Sequence, residues 1–229
     1  MTERPLPNPD EAAYREAVVD LLAVLALAEL TAFERLAEDA KLAPTLADKA
    51  EVAKMAVAEF HHFEQLRERL RELGVDTEAA MGPFRDALAR FHDRTVPSDW
   101  YEGLVKAYVG DGIGIDFYRE VSAYLDPDTK NLVLEVLSDT GHAGFVVERV
   151  RSAIEKDPGI AGRLALWGRR LVGEALAQAQ VVAAERDSLA ALIAGGADRP
   201  GMDLAALSQV FARLTENHTK RMESLGLAP

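Results

Sequence analysis

The sequence predicts an all-α protein: four long helices arranged as two antiparallel hairpins joined by a long crossover, with two further helices appended. Three observations predict it. Apolar residues recur with the helical period through most of the chain, and strand-like alternation is nearly absent. Ala, Leu, Glu and Arg, which favour helices, dominate the composition. The periodic stretches are separated by proline- and glycine-containing turns rather than by low-complexity linkers.

The first helix is expected over residues 10–40, with Val18, Leu22, Leu25, Glu29, Ala32 and Leu36 on one stripe. Pro44 ends the connection, and a second helix follows over 46–73, its stripe being Val52, Met55, Glu59, His62, Leu66 and Leu70. Gly74 fits its C-terminal cap. The crossover, residues 75–98, contains a shorter helical stretch over 83–92. A third helix spans 98–125, with Leu104, Tyr108, Asp111, Ile115, Tyr118, Ser122 and Leu125 on one face. The turn beginning at Asp126 offers Asp128 or Thr129 as N-cap for a fourth helix over 130–155. Its inward residues are Leu132, Val136, Asp139, His142, Val146 and Val150. A fifth helix is expected over 160–194, a break at Gly195, Gly196 and Pro200, and a sixth helix over 203–224. Residues 10–225 are expected to form one domain, with the core bundle in 10–156 and the appended helices in 160–225.

Composition narrows the function. Of 229 residues 48% are hydrophobic and 28% charged, a globular balance. A net charge of −12 argues against a partner recognised through its phosphates. The chain has no cysteine, which excludes disulfides, iron–sulfur clusters, thiol catalysis and a built-in thiolate-ligated electron carrier. The longest apolar run, residues 17–28, is interrupted by Asp20 and is too short to span a bilayer, so a soluble cytoplasmic protein without a membrane partner is expected.

Four helices each place a carboxylate on the inward stripe: Glu29, Glu59, Asp111 and Asp139. Two of them add a histidine three residues later, giving Glu59-x-x-His62 and Asp139-x-x-His142. Positions three apart share a helix face, so each carboxylate and imidazole can bind one metal ion. Glu29 and Glu59 are 30 positions apart, Asp111 and Asp139 28, each about one helix up and one back. Four carboxylates and two imidazoles thereby converge, which is the ligand set of ferritin-like di-iron or di-manganese bundles with Asp replacing Glu twice. Two iron ions are the expected cofactor; manganese suits the same ligands. Asp reaches less far than Glu, so the second hairpin is expected to hold its metal more weakly.

Other polar residues compete for these roles. Glu34 falls beside the stripe; Asp116 lies on a mixed face expected to be half exposed. His61 points away from His62, and His92 and His218 read as surface residues. Gly110, Gly112 and Gly114 surround Asp111, either to leave space beside a metal or to admit a closely packed helix. Tyr108, Gly112, Ile115 and Tyr118 are the candidate pocket-lining residues.

The ligand order resembles the ferritin-like superfamily. Residues 28–40 (AELTAFERLAEDA), 107–112 (AYVGDG), 139–143 (DTGHA) and 164–173 (LALWGRRLVG) look similar to the methylthio-isopentenyladenosine tRNA hydroxylase-like group. The resemblance implies that Glu29, Glu59, His62, Asp111, Asp139 and His142 are iron ligands, with Asp at 111 and 139 where the hydroxylase has Glu. It also implies O2-dependent hydroxylation of an isopentenyl group on a tRNA base, with electrons from a separate reductase. A small-molecule substrate stays open beside tRNA. The alternatives are a ferritin-like iron-oxidising or metal-binding protein and a non-catalytic helical scaffold. A homodimer is compatible with the two appended helices, which can cover either their own bundle or a partner's.

Overall fold

The computed structural model describes residues 9–138, 142–194 and 202–229. The long helices are α1 (Pro9–Asp39), α2 (Leu46–Glu72), α5 (Trp100–Ser122) and α8 (Ile160–Glu185). Between α2 and α5 lie α3 (Thr77–Met81) and α4 (Arg85–Arg94). After α5 come α6 (Pro127–Val136) and α7 (His142–Lys156), and after α8 come α9 (Asp187–Ala194) and α10 (Leu204–Ser224). Among the described residues there is no strand, and the architecture is the all-α, ferritin-like bundle that the sequence predicts.

Local chemistry fixes the helix ends. Thr45 caps α2 by accepting from the Asp48 N–H at 3.1 Å. At the other end Val75 N–H reaches Leu70 O and Gly74 N–H reaches Arg71 O, a Schellman closure that needs the positive φ of 74° found at Gly74. Asp99 caps α5, while Glu102 reaches back to the Ser98 N–H at 2.8 Å. Asp126, not Asp128 or Thr129, caps α6, because Pro127 takes the first helical position, where no N–H is needed. Tyr14 OH donates to the Asp126 carboxylate at 3.0 Å, pinning the start of α1 to this turn.

The apolar core forms two clusters. One joins Leu36, Val52, Met55, Val105, Val109, Val146, Val150, Leu164 and Leu171. The other joins Leu21, Leu22, Leu25, Phe63, Leu66, Leu70, Val121, Val133 and Val136. Thus α1 enters the second cluster first, and α2 enters the first cluster first, so the two helices are antiparallel. The same reasoning makes α5 antiparallel to α6 and α7. The crossover through α3 and α4 returns the chain to the end where α2 began, as the ferritin-like connection requires.

Two expected helices are broken. The fourth is α6, which ends at Val136, and α7; just past the end of α6 the Leu137 carbonyl accepts from the Arg119 guanidinium at 3.1 Å. The fifth is α8 and α9, parted at Arg186, which has left the helical conformation at φ −129° and ψ 89°. Arg186 turns inward onto the buried Asp20, with contacts of 2.9 and 2.6 Å to one carboxylate oxygen; Ser188 Oγ donates to the same group.

α8 packs on α4 and α5, α9 on α1, and α10 on α5. α10 comes close because α5 and α8 present glycines to it: a Cβ on Gly112 would lie 2.2 Å from Arg221 Nε, and one on Gly168 2.6 Å from Met222 Sδ. The Gly112 position is therefore filled by Arg221 and does not face an open pocket. Asp116, expected to be half exposed, is buried beneath α10 and pairs with Arg221 at 2.5 Å.

Removing the Arg186 guanidinium leaves the Asp20 charge buried and unpaired. Arg186→Ala should destabilise the protein by about 3 kcal/mol, read as a lower midpoint in urea. Adding Asp20→Leu should restore part of the loss; a double variant no better than the single one would contradict this account.

Candidate metal centre

Glu29 lies between Ala26 of one apolar cluster and Leu36 of the other, and Glu59 and His62 lie between Ala56 and Phe63. The two clusters are thus separated by a polar layer, and the predicted residues of the first hairpin meet in it. One ligand atom from each of Glu29, Glu59 and His62 can be chosen so that all lie within 4.8 Å of one another. His62 Nδ1 is 3.4 Å from Glu29 Oε2 and 3.7 Å from Glu59 Oε2. Side-chain exposure is 12% at Glu29, 20% at Glu59 and 13% at His62. Glu29 Oε2 is buried without a hydrogen-bond partner.

The second hairpin is placed differently. Asp111 sits at the edge of the layer, near enough for the Glu59 charge to be felt. Asp111 is exposed, and it lines a small pocket between α1, α4 and α5. His142 is the first residue of α7 and is half-buried. Among the described residues, neither joins the three-residue group. Asp139 lies outside the described residues.

Of the candidate pocket residues, Tyr108 packs on the first apolar cluster, and Ile115 and Tyr118 pack on the second. Burial, with the negative charge of Glu29, pushes the Tyr118 hydroxyl well up, so it stays protonated beside that carboxylate. Glu34 and His61 are exposed. His92 and His218 correct the surface reading: His218, in α10, is 8% exposed, and His92 is half-buried with an enclosed Nδ1. Their burial depends on α10 and α4 packing against α5, contacts that no local spacing encodes.

The electrostatics distinguish this layer. The four acids most deeply buried elsewhere each have an arginine: Asp20 with Arg186, Asp48 with Arg149, Glu102 with Arg163 and Asp116 with Arg221. No arginine pairs with Glu29, Glu59 or Asp111 among the described residues. Burial, then the neighbouring Glu29 carboxylate, push Glu59 from 4.5 up to about 8, with His62 opposing. Burial alone would lower His62, but the Glu29 and Glu59 carboxylates outweigh it and raise the imidazole from 6.5 to about 9. Burial and the Glu59 charge push Asp111 well up, against the pull of Lys106. In the metal-free protein the layer therefore holds protons where a cation would bind. Two carboxylates, one imidazole and an orphaned buried carboxylate oxygen fit a divalent metal ion.

A model of the ferritin-like domain of actinomycetes matches residues 12–196 of the chain. No curated protein matches. Among solved structures, protein 19 with aldehyde deformylating oxidase activity, from Synechococcus, is similar with a TM-score of 0.71. The identity is 21%, over 94% of this chain and 92% of that one, a likeness of fold.

Glu59 and His62 bind protons more tightly folded than unfolded. Their contribution to stability is complete below the unfolded values of 4.5 and 6.5 and is lost as pH rises through about 8 and 9. The thermal midpoint of chelator-treated protein should therefore fall between about pH 6 and pH 9, and Glu59→Gln/His62→Gln should flatten that profile. A parent profile already flat across the window would contradict the assignment.

Proposed function

The chain belongs to the ferritin-like domain family of actinomycetes, and within it we propose an oxygen-activating metalloenzyme of the di-iron type. The observation that carries this reading is the half-buried Glu29–Glu59–His62 group, which lacks the arginine partners given to the deeply buried acids. In this reading Glu29, Glu59 and His62 hold one ion, and Asp111, Asp139 and His142 hold a second, more weakly. Iron is the proposed metal, and manganese fits the same oxygen and nitrogen donors. When bound, the metal pair supplies the redox chemistry for dioxygen reduction.

The protein's own side chains do the remaining work. Glu59 and His62 give up their protons as a cation arrives, so binding releases acid. The apolar clusters on either side of the layer exclude bulk water and strengthen each electrostatic contact within it. Tyr118, protonated and enclosed, is a hydrogen-bond donor available on the Glu29 side. Electrons come from a separate reductase, since the chain has no cysteine with which to hold a thiolate-ligated carrier.

A small-molecule substrate is favoured over the tRNA base suggested by the hydroxylase resemblance. The basic residues that lie close together in the sequence are internally satisfied: Arg67, Arg69 and Arg71 pair with Glu64, Glu72 and Glu68. Arg169 binds the Ala228 and Pro229 carbonyls, Arg170 binds the Arg94 carbonyl, and Lys220 pairs with Glu216. They leave little unopposed positive charge for a phosphate backbone.

Elemental analysis of protein purified without chelator should find roughly two metal ions per chain. Glu59→Ala should lose the more tightly held ion, and Asp139→Ala/His142→Ala should keep about one. Metal content unaffected by Glu59→Ala would remove the ligand assignment. With the site loaded, dioxygen uptake stimulated by a small organic substrate and unaffected by tRNA is the expected activity.

A further inference from the structure

Asp111 is exposed, whereas the side chains of Glu29, Glu59 and His62 are 12%, 20% and 13% exposed. The metal layer is therefore reached from solvent at its Asp111 edge. A pocket of about 40 Å³ lies at that edge, between α1, α4 and α5, with Asp111 and Lys106 both in its lining. A water needs roughly 10–15 Å³ of such space, so the pocket has room for about three, the number of heavy atoms in a carboxylate group. Leu36 and Phe91 give it apolar walls.

Lys106 lacks a counter-ion. It is 7% exposed; its ammonium donates to Thr95 O at 2.7 Å and lies 5.5 Å from the Phe91 ring centre. Among the described residues no carboxylate is within ion-pair distance of it. The deeply buried acids each have an arginine, but this deeply buried cation has only a carbonyl and a ring. Asp39 attracts it from farther off, and the Asp39 carboxylate lies over Gly103, where a Cβ would come within 3.2 Å of Oδ2. Asp111 also attracts it from farther off, and in the function proposed above Asp111 is a metal ligand. An ammonium has three N–H donors, so the bond to Thr95 leaves others. Two more lining residues have enclosed nitrogens without a partner: Arg35 Nε, a donor, and His92 Nδ1, a donor in one tautomer. A buried cation and unpaired N–H groups around one small space call for an anionic acceptor.

We propose that this pocket seats the carboxylate head of the substrate, a small organic acid, on Lys106 and Arg35, with the carbons next to the head lying against Asp111. The substrate role rests on the metal reading above; the anion seat stands on the pocket itself. Arg35 Nη1 is held by Glu38 at 2.8 Å, which fixes the guanidinium while Nε stays free for the ligand. A neutral analogue of the same shape leaves the Lys106 charge without a counter-ion, so the seat selects by charge. Gly110 lines the same pocket and keeps it open by having no side chain. A Cβ there would lie 3.9 Å from Phe91 Cζ, an ordinary contact, so α5 accepts alanine at this position while the pocket narrows.

The test is calorimetric titration of full-length protein, metal-free and cobalt(II)-loaded, with butyrate and with butyramide, its uncharged isostere. Butyrate should bind both forms at one site per chain, and butyramide at least about tenfold more weakly. Lys106→Met and Gly110→Ala should each weaken butyrate by about tenfold or more while keeping the parent's circular dichroism and cobalt content. Gly110→Ala keeps the test decisive if Lys106→Met fails to fold. Butyrate and butyramide bound alike would overturn the seat. So would no butyrate binding in either form, which would mean that water fills the pocket. Butyrate bound only by cobalt-loaded protein, and equally by both variants, would put the carboxylate on the metal ion and overturn the seat as well. Parent protein that takes up no cobalt yet prefers butyrate would support the seat and overturn the metal reading, and the substrate role with it.

Discussion

A carboxylate enclosed in a helical bundle has to be neutralised, and the choice of neutraliser organises this protein. Arginine serves Asp20, Asp48, Glu102 and Asp116, and each of those pairs joins elements distant in sequence. Arg186 ties α9 to α1, Arg149 ties α7 to the start of α2, Arg163 ties α8 to α5, and Arg221 ties α10 to α5. Glu29, Glu59 and Asp111 have no such partner and are left with protons, the imidazolium of His62 or a metal ion. The same electrostatic requirement thus acts structurally around the bundle and chemically at its centre.

The periodic sequence contained most of the fold. The stripes that put Leu22, Leu25, Leu66 and Leu70 inward also put Glu29, Glu59 and His62 there, and the three meet. What was not legible depends on partners far away in the chain. Helical period could not reveal the break at Arg186, because its cause, Asp20, is 166 residues away. The Leu137 carbonyl, just past the end of α6, is bound by Arg119 in the preceding long helix. Asp116 looked half exposed because its cover comes from α10, and Gly112 looked like a place for a ligand because Arg221 was not in view.

Lys106 shows how one side chain can belong to both scaffold and site. Its bond to the Thr95 carbonyl closes the C-terminal end of α4, where a cation is favoured by the helix dipole. The same anchoring holds Lys106 in the wall of a small pocket that Asp111 also lines. The shorter reach of Asp at position 111 is consistent with the space there. A carboxylate one methylene longer would extend further into it.

The division of the core into two apolar clusters bears on how the molecule comes apart. α1, α2 and α5 run through the polar layer, while the fourth bundle element changes from α6 to α7 at that level. α8 also reaches both clusters, through Leu171 in one and Val182 against the other, and the Phe33 and Phe60 rings meet 5.2 Å apart between them, so the clusters are joined by packing as well as by continuous helices. Ions bound simultaneously by residues from both hairpins would clamp the two halves together. A metal held there would add to the cooperativity of the bundle.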